Sequence, residues 1–132
     1  YKIPLSGKEV CIIGRSLVVG KPLSVLMLNA DATVTVCHSK TENSKEVAKR
    51  ADVLVTAIGK AKAIGSSYCK EGATVIDVGI NVDKDGNLCG DVDYDTMKTV
   101  AERLSPVPGG IGPITTAVLA RHLVRAYQMQ TE

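Results

Sequence analysis

The chain has 132 residues, a length that suits one domain burying roughly two thirds of its unfolded surface. Its formal net charge is only +2 and it holds no basic run, so nucleic acid and anionic membranes are poor partners for it. Hydrophobic residues make up 45%, yet Phe and Trp are absent, so the core has to be built from Val, Ile, Leu and Ala, the usual filling of a parallel sheet covered on both faces.

Residues 1–8 read as an extended lead-in, because Ile3-Pro4 disfavours helix and Ser6-Gly7-Lys8 turns into the first strand. Val10–Ile13 is a short apolar, β-branched run and predicts that strand to be buried. The loop Gly14-Arg15-Ser16-Leu17-Val18-Val19-Gly20 comes next, then a helix with Pro22 in its first turn and Leu23, Leu26, Met27 and Ala30 at helical spacing. A strand, a glycine-bracketed turn and a helix N-terminus make an anion site. The glycines lie six apart with Arg and Ser between them, so this is not the common G-x-G-x-x-G pattern.

After a turn at Ala30-Asp31-Ala32, Thr33–Cys37 predicts a second strand, ending in His38-Ser39-Lys40-Thr41. A helix from residue 43 or 44 to Arg50 turns Val47 and Ala51 inward, capped by the Asn43/Ser44 pair. Strand three is Val53–Ala57, a short helical piece covers about 65–69, and strand four is Thr74–Val78, closing on Gly79-Ile80-Asn81. Asp83–Asn87 is the turn of a short hairpin. A helix from Asp93 places Tyr94, Met97, Val100 and Ala101 on one face, and Arg103–Ser105 adds a last strand. Pro106–Pro113 is too rich in Pro and Gly for regular structure, and a final helix over about 113–128 carries Ile114, Ala117, Val118, Leu123 and Tyr127.

Strands alternating with helices predict an α/β fold, a doubly wound, mostly parallel, Rossmann-like sheet over residues 9–112, with a lead-in before it and a terminal helix over 113–132. Ligands of such sheets lie beyond the carboxyl ends of the strands. Those ends supply the candidate cofactor contacts Gly14, Arg15, Ser16, Val19, Gly20, His38, Ser39, Ala57, Gly59 and Gly79. A dinucleotide domain that prefers NAD places a carboxylate after its second strand, to accept from the adenosine ribose diol. Here hydroxyls and a cation stand there, with Arg15 one loop away, which favours NADP over NAD.

The cysteines Cys11, Cys37, Cys69 and Cys89 show no C-x-x-C spacing and read as small apolar residues of a reducing compartment. Neither a signal peptide nor an apolar run near 18 residues is present, so a soluble, cytoplasmic chain is expected. Asp91 to Glu102 copies the length of a calcium loop, but Thr96 stands where that loop needs Gly, and no metal site is expected. His38 and His122 lack clustered partners, and Asp77 reads as a hydrogen-bonded structural carboxylate, not as a catalytic group.

The runs Gly14–Pro22 and Thr33–Thr41, together with Asp77-Val78-Gly79-Ile80-Asn81, Gly90-Asp91-Val92 and above all Pro106–Thr115, resemble the bifunctional methylenetetrahydrofolate dehydrogenase/cyclohydrolase family in order and spacing. The resemblance spans nearly the whole chain. It implies hydride transfer from methylenetetrahydrofolate to NADP and hydrolysis of the methenyl product, in a homodimeric enzyme. It further implies that Gly14, Arg15 and Ser16 hold the cofactor phosphates and that Arg15 and Ser39 reach the 2′-phosphate. Ile80 and Thr115 would lie at the nicotinamide, and Pro108, Gly109, Gly110 and Gly112 on the folate side. The family's catalytic Tyr and Lys precede this domain, so no catalytic residue is expected in this chain. It reads as the cofactor half of a longer enzyme, binding NADP without turnover, its last helix made to pack on the folate-binding half. Two alternatives stay open: the cofactor domain of an amino-acid or shikimate dehydrogenase, which the Pro108–Thr115 run argues against, and a binding-only NADP module.

Overall fold

Five parallel strands form the centre of the molecule, seen in a computed structural model that describes residues 1–131. Their order is β2 (Thr33–Cys37), β1 (Glu9–Ile13), β3 (Val53–Thr56), β4 (Thr74–Asp77) and β7 (Arg103–Leu104). The order reverses direction between β1 and β3, which is where a doubly wound sheet opens its ligand crevice. Ile13 pairs with Cys37 and with Thr56, and Thr56 with Asp77, so four strands end on one line and release their loops together.

Both faces of the sheet are apolar because a parallel sheet carries crossovers on both. On one face Cys11, Ile13, Leu54 and Val75 pack against Ala48 and Ala51 beside α2 (Ser44–Ala48), and against Met97 of α3 (Tyr94–Met97). On the other, Val10, Ile12, Val53 and Val55 meet Leu23 and Met27 of α1 (Gly20–Leu28), with Ile3 and Leu5 of the lead-in beside them. A two-stranded antiparallel hairpin, β5 (Asn81–Val82) with β6 (Leu88–Cys89), leaves the sheet after β4. A single 3₁₀ turn fills Ser66–Tyr68. The four cysteines are buried and unbridged, with Cys11 Sγ 3.7 Å from Cys37 Sγ.

The expected elements all form, with local corrections. Strands β3 and β4 stop one residue short of Ala57 and Val78, although Ala57 N still donates to Ile13 O and Val78 N to Thr56 O as the chain turns away. Pro22 lies in the first turn of α1 as expected, but Leu26 is 64% exposed because only the Leu23/Met27 stripe faces the sheet. Asn43 precedes α2 in a left-handed conformation and makes no side-chain cap. Tyr94 is exposed, leaving Met97 as the buried residue of α3. The last helix, α4 (Ile111–Thr131), starts earlier than expected and takes Gly112 and Pro113 into its first turn, where a proline without N–H costs nothing.

Candidate functional site

Gly14 decides how the loop after β1 leaves the sheet. Its φ is 128°, and a Cβ there would overlap the Ala57 carbonyl oxygen, so only glycine lets the β1 and β3 loops touch across the crevice. Gly14 N donates to Cys37 O at 2.8 Å, which ties the same loop to the end of β2. Beyond it the loop closes on itself: Val19 N donates to Ser16 Oγ at 3.0 Å and Lys21 N to Ser16 O at 3.0 Å. Gly20, where α1 begins, packs against the Gly14 peptide too closely for any side chain. Arg15 and Ser16 stay exposed above the crevice, with Val19 half-buried.

The end of β2 makes a tight turn of its own. His38 N donates to Thr41 Oγ1 at 2.9 Å, Lys40 N to His38 Nδ1 at 3.2 Å and Thr41 N to His38 O at 2.9 Å. His38 is thereby spent on local structure, while Ser39 and Lys40 remain exposed. Hydroxyl and ammonium donors, with no carboxylate before Glu42, thus face the same edge of the sheet as Arg15.

On the other side of the crevice a cleft of about 330 Å³ opens between the β4 loop and the start of α4. Gly79, Ile80, Pro108, Gly109, Gly110, Gly112 and Thr115 all line it, together with Leu88 of the hairpin. Ile80 is 69% exposed, an aliphatic side chain held out over an apolar cleft. The Val107–Pro108 peptide is cis. The candidate cofactor residues therefore lie on one edge of the sheet, Ala57 half-buried beside Gly14 and Gly59 exposed in the same loop.

Behind this edge stand two buried carboxylates. Asp77 accepts from Thr56 Oγ1 (3.2 Å), Gly79 N (2.8 Å), Asp91 N (3.1 Å) and Val92 N (2.9 Å). Asp91 accepts from Ile58 N, Gly59 N, Lys60 N and Asn81 Nδ2. Asp77 is structural, as its place at the end of a buried strand predicts. Asp91 is the residue that sequence reasoning missed, since its spacing to Glu102 drew attention to a cation and not to the amides of a distant loop. The signal that was available is the pair Gly79 and Gly90, whose missing side chains make room for Asp91 and Asp77. Farther out, Lys62 Nζ meets Asp83 Oδ2 at 2.9 Å and fastens the hairpin to the loop after β3. The hydrogen bond from Lys62 holds the Asp83 carboxyl below the usual carboxylate range.

Residues 1–131 match the family model described as tetrahydrofolate dehydrogenase/cyclohydrolase, NAD(P)-binding domain. The chain belongs to this family. That membership closes the alternative of an amino-acid or shikimate dehydrogenase. Among related tetrahydrofolate dehydrogenase/cyclohydrolases, the bifunctional protein FolD of Methanoculleus marisnigri is 57% identical over 131 residues, which are 99% of this chain and 46% of that protein. The bifunctional protein FolD of Clostridioides difficile is 54% identical over 98% of this chain and 45% of its own length. The chain thus spans about half the length of the curated relatives it matches. Among solved structures, the bifunctional enzyme FolD of Campylobacter jejuni superposes with a TM-score of 0.95 at 41% identity, covering 98% of this chain and 46% of that one. A Trypanosoma brucei FolD, solved with NADP cofactor and inhibitor, gives 0.91 at 34% identity with the same coverage.

Proposed function

We propose that this chain is the NADP-binding half of a bifunctional enzyme of one-carbon metabolism. The whole protein would oxidise 5,10-methylenetetrahydrofolate to the methenyl form and hydrolyse that to 10-formyltetrahydrofolate, working as a cytoplasmic homodimer. One arrangement carries the reading: the glycine loop after β1, the carboxylate-free end of β2 and the apolar 79–80/106–115 cleft share one edge of one sheet. They match the three parts of a dinucleotide in order, pyrophosphate, adenosine 2′-phosphate and nicotinamide. The fit has a steric basis as well, since Gly14 and Gly20 leave no side chain between the backbone and a pyrophosphate.

When bound, NADP supplies the hydride acceptor. Arg15 and Ser39 hold its 2′-phosphate by charge-assisted hydrogen bonds, and Gly14, Ser16, Val19 and Gly20 border the pyrophosphate. His38 borders the adenosine, and Ala57 and Gly59 border the nicotinamide ribose. Gly79, Ile80 and Thr115 orient the nicotinamide ring and keep water from it, while Pro108, Gly109, Gly110 and Gly112 form the wall toward the folate. Hydride transfer needs distance and orientation, not an acid or base, so this half can do its part without a catalytic side chain. The proton transfers of the hydrolysis belong to the folate-binding half. Support for docking on that half comes from α4, none of whose described residues is buried and whose Leu119, Leu123, Val124 and Tyr127 are exposed. No helix among the described residues is long and apolar enough to cross a membrane.

Titration calorimetry with NADP⁺ and NAD⁺ tests the binding, with NADP⁺ expected to bind at least about tenfold more tightly from the 2′-phosphate contacts alone. Absorbance of NADPH with methylenetetrahydrofolate should stay at background, because losing the second wall removes orientation worth about 7–11 kcal/mol of barrier lowering. Equal affinities would overturn the NADP assignment, and turnover by this chain alone would place catalytic groups within it. The same absorbance assay on the full-length protein separates an enzyme half from a binding-only module.

A further inference from the structure

The Asp91 carboxylate is wholly buried and lies outside all four strand-end loops, yet it is spent on two of them. Three consecutive amides of the loop after β3 converge on it: Ile58 N and Gly59 N donate to Oδ2 at 2.6 and 3.2 Å, and Lys60 N to Oδ1 at 2.9 Å. Successive N–H groups of this kind form a concavity for an anion, and here the protein's own carboxylate occupies it. Asn81 Nδ2 donates to the same Oδ1 at 3.0 Å and brings in the loop after β4. Gly79 packs directly on the Asp91 carboxyl carbon, with no room for a side chain. Asp77 in turn accepts from Asp91 N and Val92 N, so the segment that carries Asp91 is itself fixed to the end of β4.

We infer that Asp91 is the positioning residue for the nicotinamide side of the cofactor crevice: it locks the 57–60 and 79–81 loops into one rigid wall that presents Ile80. This rests on the reading of the chain as an NADP-binding half. Among the described residues no hydrogen bond joins Asp91 to the 14–20 or 38–41 loops, which would receive the pyrophosphate and the 2′-phosphate. Loosening Asp91 therefore acts on one half of the dinucleotide. An ordinary loss of stability weakens every ligand of the folded chain alike and leaves no such split.

Asp91→Asn keeps the shape but sets an NH₂ donor against N–H donors. Calorimetry on the full chain with NADP⁺ and with adenosine 2′,5′-bisphosphate, which lacks the nicotinamide riboside, reads the split. NADP⁺ affinity should fall at least about tenfold while the bisphosphate stays within about twofold, as expected for charge-assisted hydrogen bonds lost on one side only. Should Asp91→Asn not fold, Asn81→Ala decides. It leaves the carboxylate with its three amides and frees only the β4 loop, so NADP⁺ alone should weaken, by several-fold. Parallel losses for both nucleotides, or no loss in either, would overturn the inference while leaving the NADP reading standing. Wild-type chain that binds neither nucleotide overturns that reading and this inference with it.

Discussion

Arg15 and Ser39 come from separate loops and reach the same edge of the sheet, so each gives an independent test. On the proposed reading Arg15→Ala removes a cation facing the 2′-phosphate and should cost NADP⁺ about 1.5–3 kcal/mol, at least tenfold in affinity, while NAD⁺ binding barely changes. Calorimetry showing equal losses for both cofactors would refute that role. Ser39→Asp works by the opposite means, placing a carboxylate where it repels the 2′-phosphate and accepts from a free ribose diol, so the preference for NADP⁺ should shrink or reverse. A different residue controls the alkaline limit. Burial pushes the Cys11 thiol up to about 12 from 9.0, with the neighbouring Cys37 adding to the shift. A pKa raised on folding means the unfolded chain gives up its proton first. That contribution to stability is complete below pH 9 and is lost as pH climbs towards 12. Denaturant midpoints measured across this range should fall in wild type and fall less in Cys11→Ala.

At the scale of elements, the junction of β4 with the segment after the hairpin is where packing is least forgiving. A Cβ on Gly90 would overlap the Asp77 carboxylate, and four hydrogen bonds keep that carboxylate from retreating. Gly90→Ala should therefore destabilise by about 1–3 kcal/mol through overpacking, read as a lower urea midpoint at unchanged slope. The exposed pairs that join elements are a different matter. Lys70 Nζ lies 2.7 Å from Asp52 Oδ1 between β3 and the turn before β4, and its hydrogen bond lowers the Asp52 pKa. Lys70 is exposed and Asp52 half-buried at the surface, so Asp52→Asn should cost no more than about 1 kcal/mol.

For the molecule as a whole, α4 stands apart from the core. None of its described residues is buried, whereas the buried apolar residues divide into two clusters on the two faces of the sheet. Helical stability in proteins comes chiefly from packing, so α4 amides should exchange hydrogen fastest of all the helices. Truncation after Ala120 should change unfolding free energy by less than about 0.5 kcal/mol, as for surface changes elsewhere. Slow exchange in α4 of the isolated chain would show that it finds a surface of this same chain.

What the sequence determined by itself was the order and type of the elements and the edge where they would release their loops. Runs such as Val10–Ile13 and Val53–Val55 read as buried strands, and Gly14 to Pro22 as a turn into a helix. Those properties are local, set by periodicity, β-branching and glycine. Tertiary structure alone decided which distant groups meet. That Asp91 serves the amides of residues 58–60, some thirty positions away, depends on the parallel register that stacks Thr56 beside Asp77 and brings the hairpin's return strand behind both. A hydrogen-bond acceptor leaves no period in the chain. Only the two glycines that make room for the carboxylates carry a trace of it, and their meaning emerges once the strands are side by side.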